Sequence, residues 1–142
     1  MSEEPDERYF LLTRRTAEAA PLVEKKASSN DPTAVMNLAI LRALQGRHAE
    51  ARAATERFMA LAQPNRYYHH LAYGAARVYA LGGDGDQAAM WLEETIRWGF
   101  PCYPLFAEDH MLDPVRPSPR FQRVLTDLRA QWQRYRQELE TN

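Results

Sequence analysis

The sequence predicts an all-α fold: a short stack of helical hairpins closed by a long C-terminal helix. Three observations carry that expectation. Apolar residues recur at helical spacing between proline and glycine breaks along most of the chain. Gly46, Ala51 and Pro64 reappear as Gly83, Ala88 and Pro101, each 37 residues further on. Phe121, Leu125, Leu128, Trp132, Tyr135 and Leu139 are spaced 4, 3, 4, 3, 4, which is a heptad seam.

All 142 residues are expected in one domain. Residues 1–30 form an N-terminal helical segment in which Tyr9, Phe10, Leu12, Leu22 and Val23 suggest one helix or two, with Pro21 as the kink or break. The first repeat covers 31–64. Asp31 is the N-cap and Pro32 sits in the first turn, where its missing N–H costs nothing. Val35, Leu38, Ala39 and Leu41 carry that helix to Gln45-Gly46, and a second follows from Arg47 to Leu61. The second repeat covers 65–101. Its first helix runs from Arg66 to Leu81 and stops at Gly82-Gly83. Asp84 then caps a helix that carries Trp91, Leu92 and Ile96, with Gln87 near a capping-box position. Residues 102–118 read as a proline-rich connector. Ser118 and Pro119 open the capping helix 119–142, whose apolar seam is suited to lie over the last hairpin.

These landmarks resemble the tetratricopeptide repeat. Tyr79, Gly83 and Ala88 have the family's spacing of first-helix tyrosine, turn glycine and second-helix alanine. The first copy keeps Leu38, Ala39, Gly46 and Ala51 but has Arg42 where the tyrosine is expected. The 37-residue spacing of the landmarks is longer than the usual family period of about 34 residues, and the excess falls in the loop between repeats. Met111–Gln122 is similar to the closing segment of bacterial arrays of this family. The resemblance implies an α-α superhelix that binds a partner. It places Thr33, Met36, Asn37 and Ile40 from the first copy and His70, Tyr73, Gly74 and Arg77 from the second on the concave face. Aromatics with an arginine are favoured interface anchors. The alternative is that Met36 and Tyr73 pack against the chain's own terminal helices. The family's carboxylate clamp uses lysines and asparagines, which Met36, Ile40 and Tyr73 do not match, so chaperone-tail binding of that kind is not expected.

Composition excludes several classes. The net charge of -1 argues against a protein devoted to nucleic acid or an anionic membrane, although the arginines of the last helix give it a modestly positive face. One cysteine, Cys102, allows no intrachain disulfide and no cysteine-based metal site. The acidic start lacks a signal-peptide apolar run and no stretch approaches a membrane span of ~20 apolar residues. The expected setting is soluble, reducing and cytoplasmic. There is no Walker loop, dinucleotide fingerprint, nucleophile elbow or zinc-protease pair. Gly82–Asp86 lacks the ligands of a calcium loop. His69 and His70 are adjacent, so on a helix they point ~100° apart. A site using His70 with Glu108, Asp109 and His110 is conceivable but has no recurring ligand spacing.

The expectation is therefore a non-catalytic scaffold or adaptor that holds a peptide or helix of another protein against Met36, Asn37, Ile40, His70, Tyr73 and Arg77. No catalytic residue, metal or cofactor is expected. The far end of the last helix, Trp132, Tyr135 and Leu139, is the candidate surface for pairing with a second copy. Two alternatives stand beside this: an accessory or sensory module of a bacterial signalling or transcription regulator, and a metal- or small-molecule-binding enzyme. The Met1 start favours a stand-alone protein, and a split operon partner fits equally.

Overall fold

The computed structural model describes residues 5–65 and 67–141. The acidic start Met1–Glu4, the predicted helix start at Arg66 and the final Asn142 lie outside them. The described residues are all-helical, with no strand among them. The helices are α1 (Glu7–Leu12), α2 (Thr16–Lys26), α3 (Pro32–Leu44), α4 (His48–Leu61), α5 (Tyr68–Leu81), α6 (Gly85–Arg97), α7 (Tyr103–Glu108) and α8 (Pro119–Thr141), with a 3₁₀ helix at His110–Val115. No helix among the described residues is long and apolar enough to cross a membrane.

Helix starts follow the caps read from the sequence. Asp31 accepts from the Thr33 N–H at 3.2 Å and Asp84 from the Gln87 N–H at 3.1 Å. Each satisfies one of the orphan donors that every helix start leaves. Helix stops repeat one device. Gly46 and Gly83 have φ of 77° and 76°. The Arg47 N–H reaches the Arg42 carbonyl at 2.8 Å, and the Asp84 N–H reaches that of Tyr79 at 3.0 Å. Both are Schellman turns, in which a left-handed residue lets the chain reverse and satisfies the last carbonyls. The 37-residue period is thus one turn geometry made twice.

Each turn delivers a hairpin, α3 with α4 and α5 with α6, and α3 lies against α5. Ala51 and Ala88 are fully buried, since only a small side chain lets paired helices approach this closely. α3 and α5 are central, so they are apolar nearly all round. α5 is thinned by Ala72, Gly74, Ala75, Ala76 and Ala80, and a Cβ on Gly74 would stand 2.3 Å from the Met36 sulfur. One core gathers Val23, Val35, Leu41 and Phe58, and a second gathers Leu92, Phe106, Leu112 and Phe121.

The N-terminal segment departs from the expectation. It is two helices, but the break falls at Thr13–Arg15, where Arg14 takes φ 57°. Pro21 lies inside α2. Its missing N–H would have met the Ala17 carbonyl, and both residues are on the exposed side. The Ala17 carbonyl is thus open to solvent instead of stranded in the core, and the helix continues through the proline. The connector 102–118 is also more ordered than predicted, since α7 and the 3₁₀ helix bury Phe106, Met111, Leu112 and Val115. Pro119 does open α8, but the Ser118 hydroxyl packs against Gly85, while the Ser118 carbonyl takes the first α8 bond.

Candidate functional site

A hollow of about 370 Å³ is floored by α3 and α5 and walled by α1 and by Phe100, Leu105 and Met111. Of the eight residues expected on the concave face, Thr33, Met36, Asn37, Ile40, His70, Tyr73 and Arg77 line it, while Gly74 does not and lies against Met36. They follow from helix geometry. Thr33, Met36, Asn37 and Ile40 lie at successive spacings of 3, 1 and 3 along α3, and His70, Tyr73 and Arg77 at 3 and 4 along α5, so each set shares one stripe.

The floor is apolar. Met36 and Ile40 are each 4% exposed. Asn37 is 6% exposed, and its side chain has no hydrogen-bond partner among the described residues. Its polar atoms are not among the fully buried, unpartnered ones, so they remain accessible from the hollow and can donate and accept there. His69 stacks on Phe100 at 5.2 Å and belongs to the wall. His70 stands at the mouth. Enough protein surrounds its ring that desolvation lowers its pKa, and the charges of Arg8, Arg77 and His69 lower it further.

Tyr73 and Arg77 already have a partner, Asp109. Both the Tyr73 hydroxyl and the Arg77 Nε donate to Asp109 Oδ2, the second at 2.7 Å, and the Arg77 guanidinium lies 4.5 Å from the Tyr73 ring centre. The Met111 N–H donates to Asp109 Oδ1 at 3.0 Å. Arg116 donates to the Asp109 carbonyl at 2.9 Å and the Phe106 carbonyl at 3.0 Å. Burial works to raise the Asp109 pKa, but Arg77, Tyr73 and the Met111 amide outweigh it and hold the carboxyl below its ordinary value. Burial drives the Tyr73 hydroxyl well above its ordinary pKa. These two side chains therefore fasten the 109–116 stretch to α5. Of the six residues expected to hold the partner, Asn37 and His70 are the polar ones free to serve an occupant.

The wall residues Arg8, Leu11, Leu12, Phe100, Leu105 and Met111 were not legible as a site. They come from segments read as an uncertain helix and a loop, and no local spacing links them to α3 or α5.

The conceivable histidine site is not assembled. His110 pairs with Asp113 at 3.1 Å, Asp109 is engaged by Arg77, and no cluster of three metal-ligating side chains exists among the described residues. Cys102 is partly buried at the N-cap of α7.

The heptad seam divides in two. Phe121 and Leu128 are buried in α8's packing on the second hairpin, and Trp132 sits against Tyr103 at 6.0 Å with Arg136 over its ring. Tyr135 and Leu139 are 57% and 79% exposed. Of the predicted self-association surface, the last two turns are the part left uncovered among the described residues.

Neither a protein-family model, nor a curated protein, nor a solved structure matches this chain.

Proposed function

We propose that this chain is a tetratricopeptide-like interaction module, a short superhelix of two hairpins that binds a segment of another protein in the hollow between α1, α3, α5 and the 100–111 stretch. The observation that carries the reading is Asn37, whose side chain lines the hollow between the apolar Met36 and Ile40 and is hydrogen-bonded to no described residue. The lining joins apolar side chains with Thr33, Asn37, Tyr73, two histidines and two arginines, a composition suited to holding a ligand in place.

The experiment is affinity capture from native cell extract with wild type, Thr33→Trp and the control Arg123→Glu. Thr33 is a partly buried lining residue in the first turn of α3, so an indole there fills the mouth without entering either core. Partners captured by wild type and the control but lost with Thr33→Trp support the reading. Partners retained by Thr33→Trp sink it.

A second reading concerns Tyr135 and Leu139, which project from α8 beyond the second hairpin and offer a small face to another copy. Light scattering over a range of concentrations, on wild type and Leu139→Glu, distinguishes the cases. A concentration-independent monomer mass for wild type removes this reading.

A further inference from the structure

Building on the hollow as the binding site, we propose that its occupant is a short extended peptide segment in which an apolar side chain stands next to an aspartate or glutamate. Two features of the cleft select that chemistry.

The amide of Asn37 separates a peptide from a plain hydrocarbon. Its carbonyl accepts and its NH₂ donates, the complement of one backbone peptide group. An extended strand has such groups free, whereas a helix interior has already used them. Around Asn37, Met36, Ile40, Leu12, Leu105 and Phe100 supply the apolar contact for the neighbouring side chain.

Charge selects the remaining residue. Arg8, His69, His70 and Arg77 line the hollow, and no aspartate or glutamate does among the described residues. Asp109 neutralises Arg77 from behind. Arg8, on the wall formed by α1, has no ion pair among the described residues and lies close enough to His70 to disfavour a proton there. A carboxylate between Arg8 and His70 meets a positive charge that has no ion pair among the described residues, in a partly desolvated cleft where electrostatic complementarity sets partner choice.

The test is panning of a phage-displayed random heptapeptide library against the full chain. The enriched peptides are then synthesised with blocked ends and titrated by fluorescence anisotropy. Proteins for titration are wild type, Arg8→Lys, Arg8→Glu, Asn37→Ala and Thr33→Trp, each checked by circular dichroism. Arg8 is exposed, so its replacement leaves the fold intact. The expected result is enrichment of Asp or Glu adjacent to Leu, Ile, Met or Phe. Binding should weaken by about tenfold, equivalent to ~1.4 kcal/mol, with Arg8→Glu and with Asn37→Ala, and survive Arg8→Lys. Peptides without an acidic residue, or peptides bound equally by wild type and Arg8→Glu, overturn the anionic occupant. If those same peptides are lost with Thr33→Trp, the cleft itself stands as the binding site. No enrichment, or binding that also survives Thr33→Trp, overturns both.

Discussion

Asp109 and Arg77 form an ion pair across 32 residues of sequence, at 2.7 Å, with side chains 7% and 18% exposed. The carboxylate comes from the stretch between α7 and the 3₁₀ helix, and the guanidinium from the middle of α5. A residue pair that reads as a partner-facing anchor and an ordinary loop acid is in fact an internal clasp. Removing one half strands the other in a partly desolvated site.

Asp109→Ala should therefore destabilise the chain by about 3 kcal/mol, measured by urea unfolding at pH 7. Asp109→Asn should alter the acid limb. The Asp109 pKa is depressed on folding, so its contribution is present above the ordinary carboxylate value and is lost as pH falls through the lower folded value. Wild type should lose stability below about pH 4 more steeply than Asp109→Asn. Parallel acid limbs would show that the clasp contributes nothing.

His70 has the opposite dependence on charge. Its folded pKa is lowered by burial and by Arg8, Arg77 and His69, so the folded chain resists the proton that the unfolded chain accepts. Stability should be flat above about pH 6.5 and fall as pH drops below it. Chemical denaturation between pH 5 and 8 should show this slope in wild type and lose it in His70→Gln. An identical slope in the variant rules His70 out as its source.

Gly46→Ala and Gly83→Ala should each cost about 1–2 kcal/mol, from a Cβ forced into left-handed backbone. At both positions a new Cβ would have nothing within 4 Å of it, so the penalty is conformational and should be the same within about 0.5 kcal/mol. Thermal melts read this directly, and a large difference would mean that the two turns are not equivalent.

Gly74→Ala tests the contact between α3 and α5. The new methyl would meet Met36 Sδ at 2.3 Å and Cγ at 2.6 Å, driving the thioether toward the hollow. The expected cost is about 1–3 kcal/mol for overpacking. Met36→Ala in the same chain should recover part of it. A double variant that is strictly additive would show that the two residues do not compete for space.

Much of this architecture is legible from the sequence because its causes are local. Asp31, Asp84, Gly46 and Gly83 set helix ends through bonds spanning two to five residues, so the repeats and caps can be read without tertiary information. The lining stripes of α3 and α5 came instead from the tetratricopeptide resemblance, carried over by position. What escaped reading depends on distant partners. Pro21 looks like a break until it is seen on the exposed side of α2, and Arg14 hides a turn that glycine elsewhere announces. The roles of Tyr73 and Arg77 hinged on Asp109, whose neighbours give no sign of where it goes. Arg8, Leu12, Phe100 and Leu105 become walls only when both ends of the chain fold back on the hairpins.

That arrangement has a consequence for the order of events during synthesis. The cleft takes its lining from Arg8 through Met111, and Arg14 donates to the carbonyl of His110 across 96 residues, at 3.2 Å. As a chain grows from its N-terminus, the first hairpin can form early, yet one wall of the cleft is missing until residues near 111 have left the ribosome. A nascent or prematurely stopped chain has helices but no closed pocket. The cleft as described is therefore complete only in chains extended through Met111.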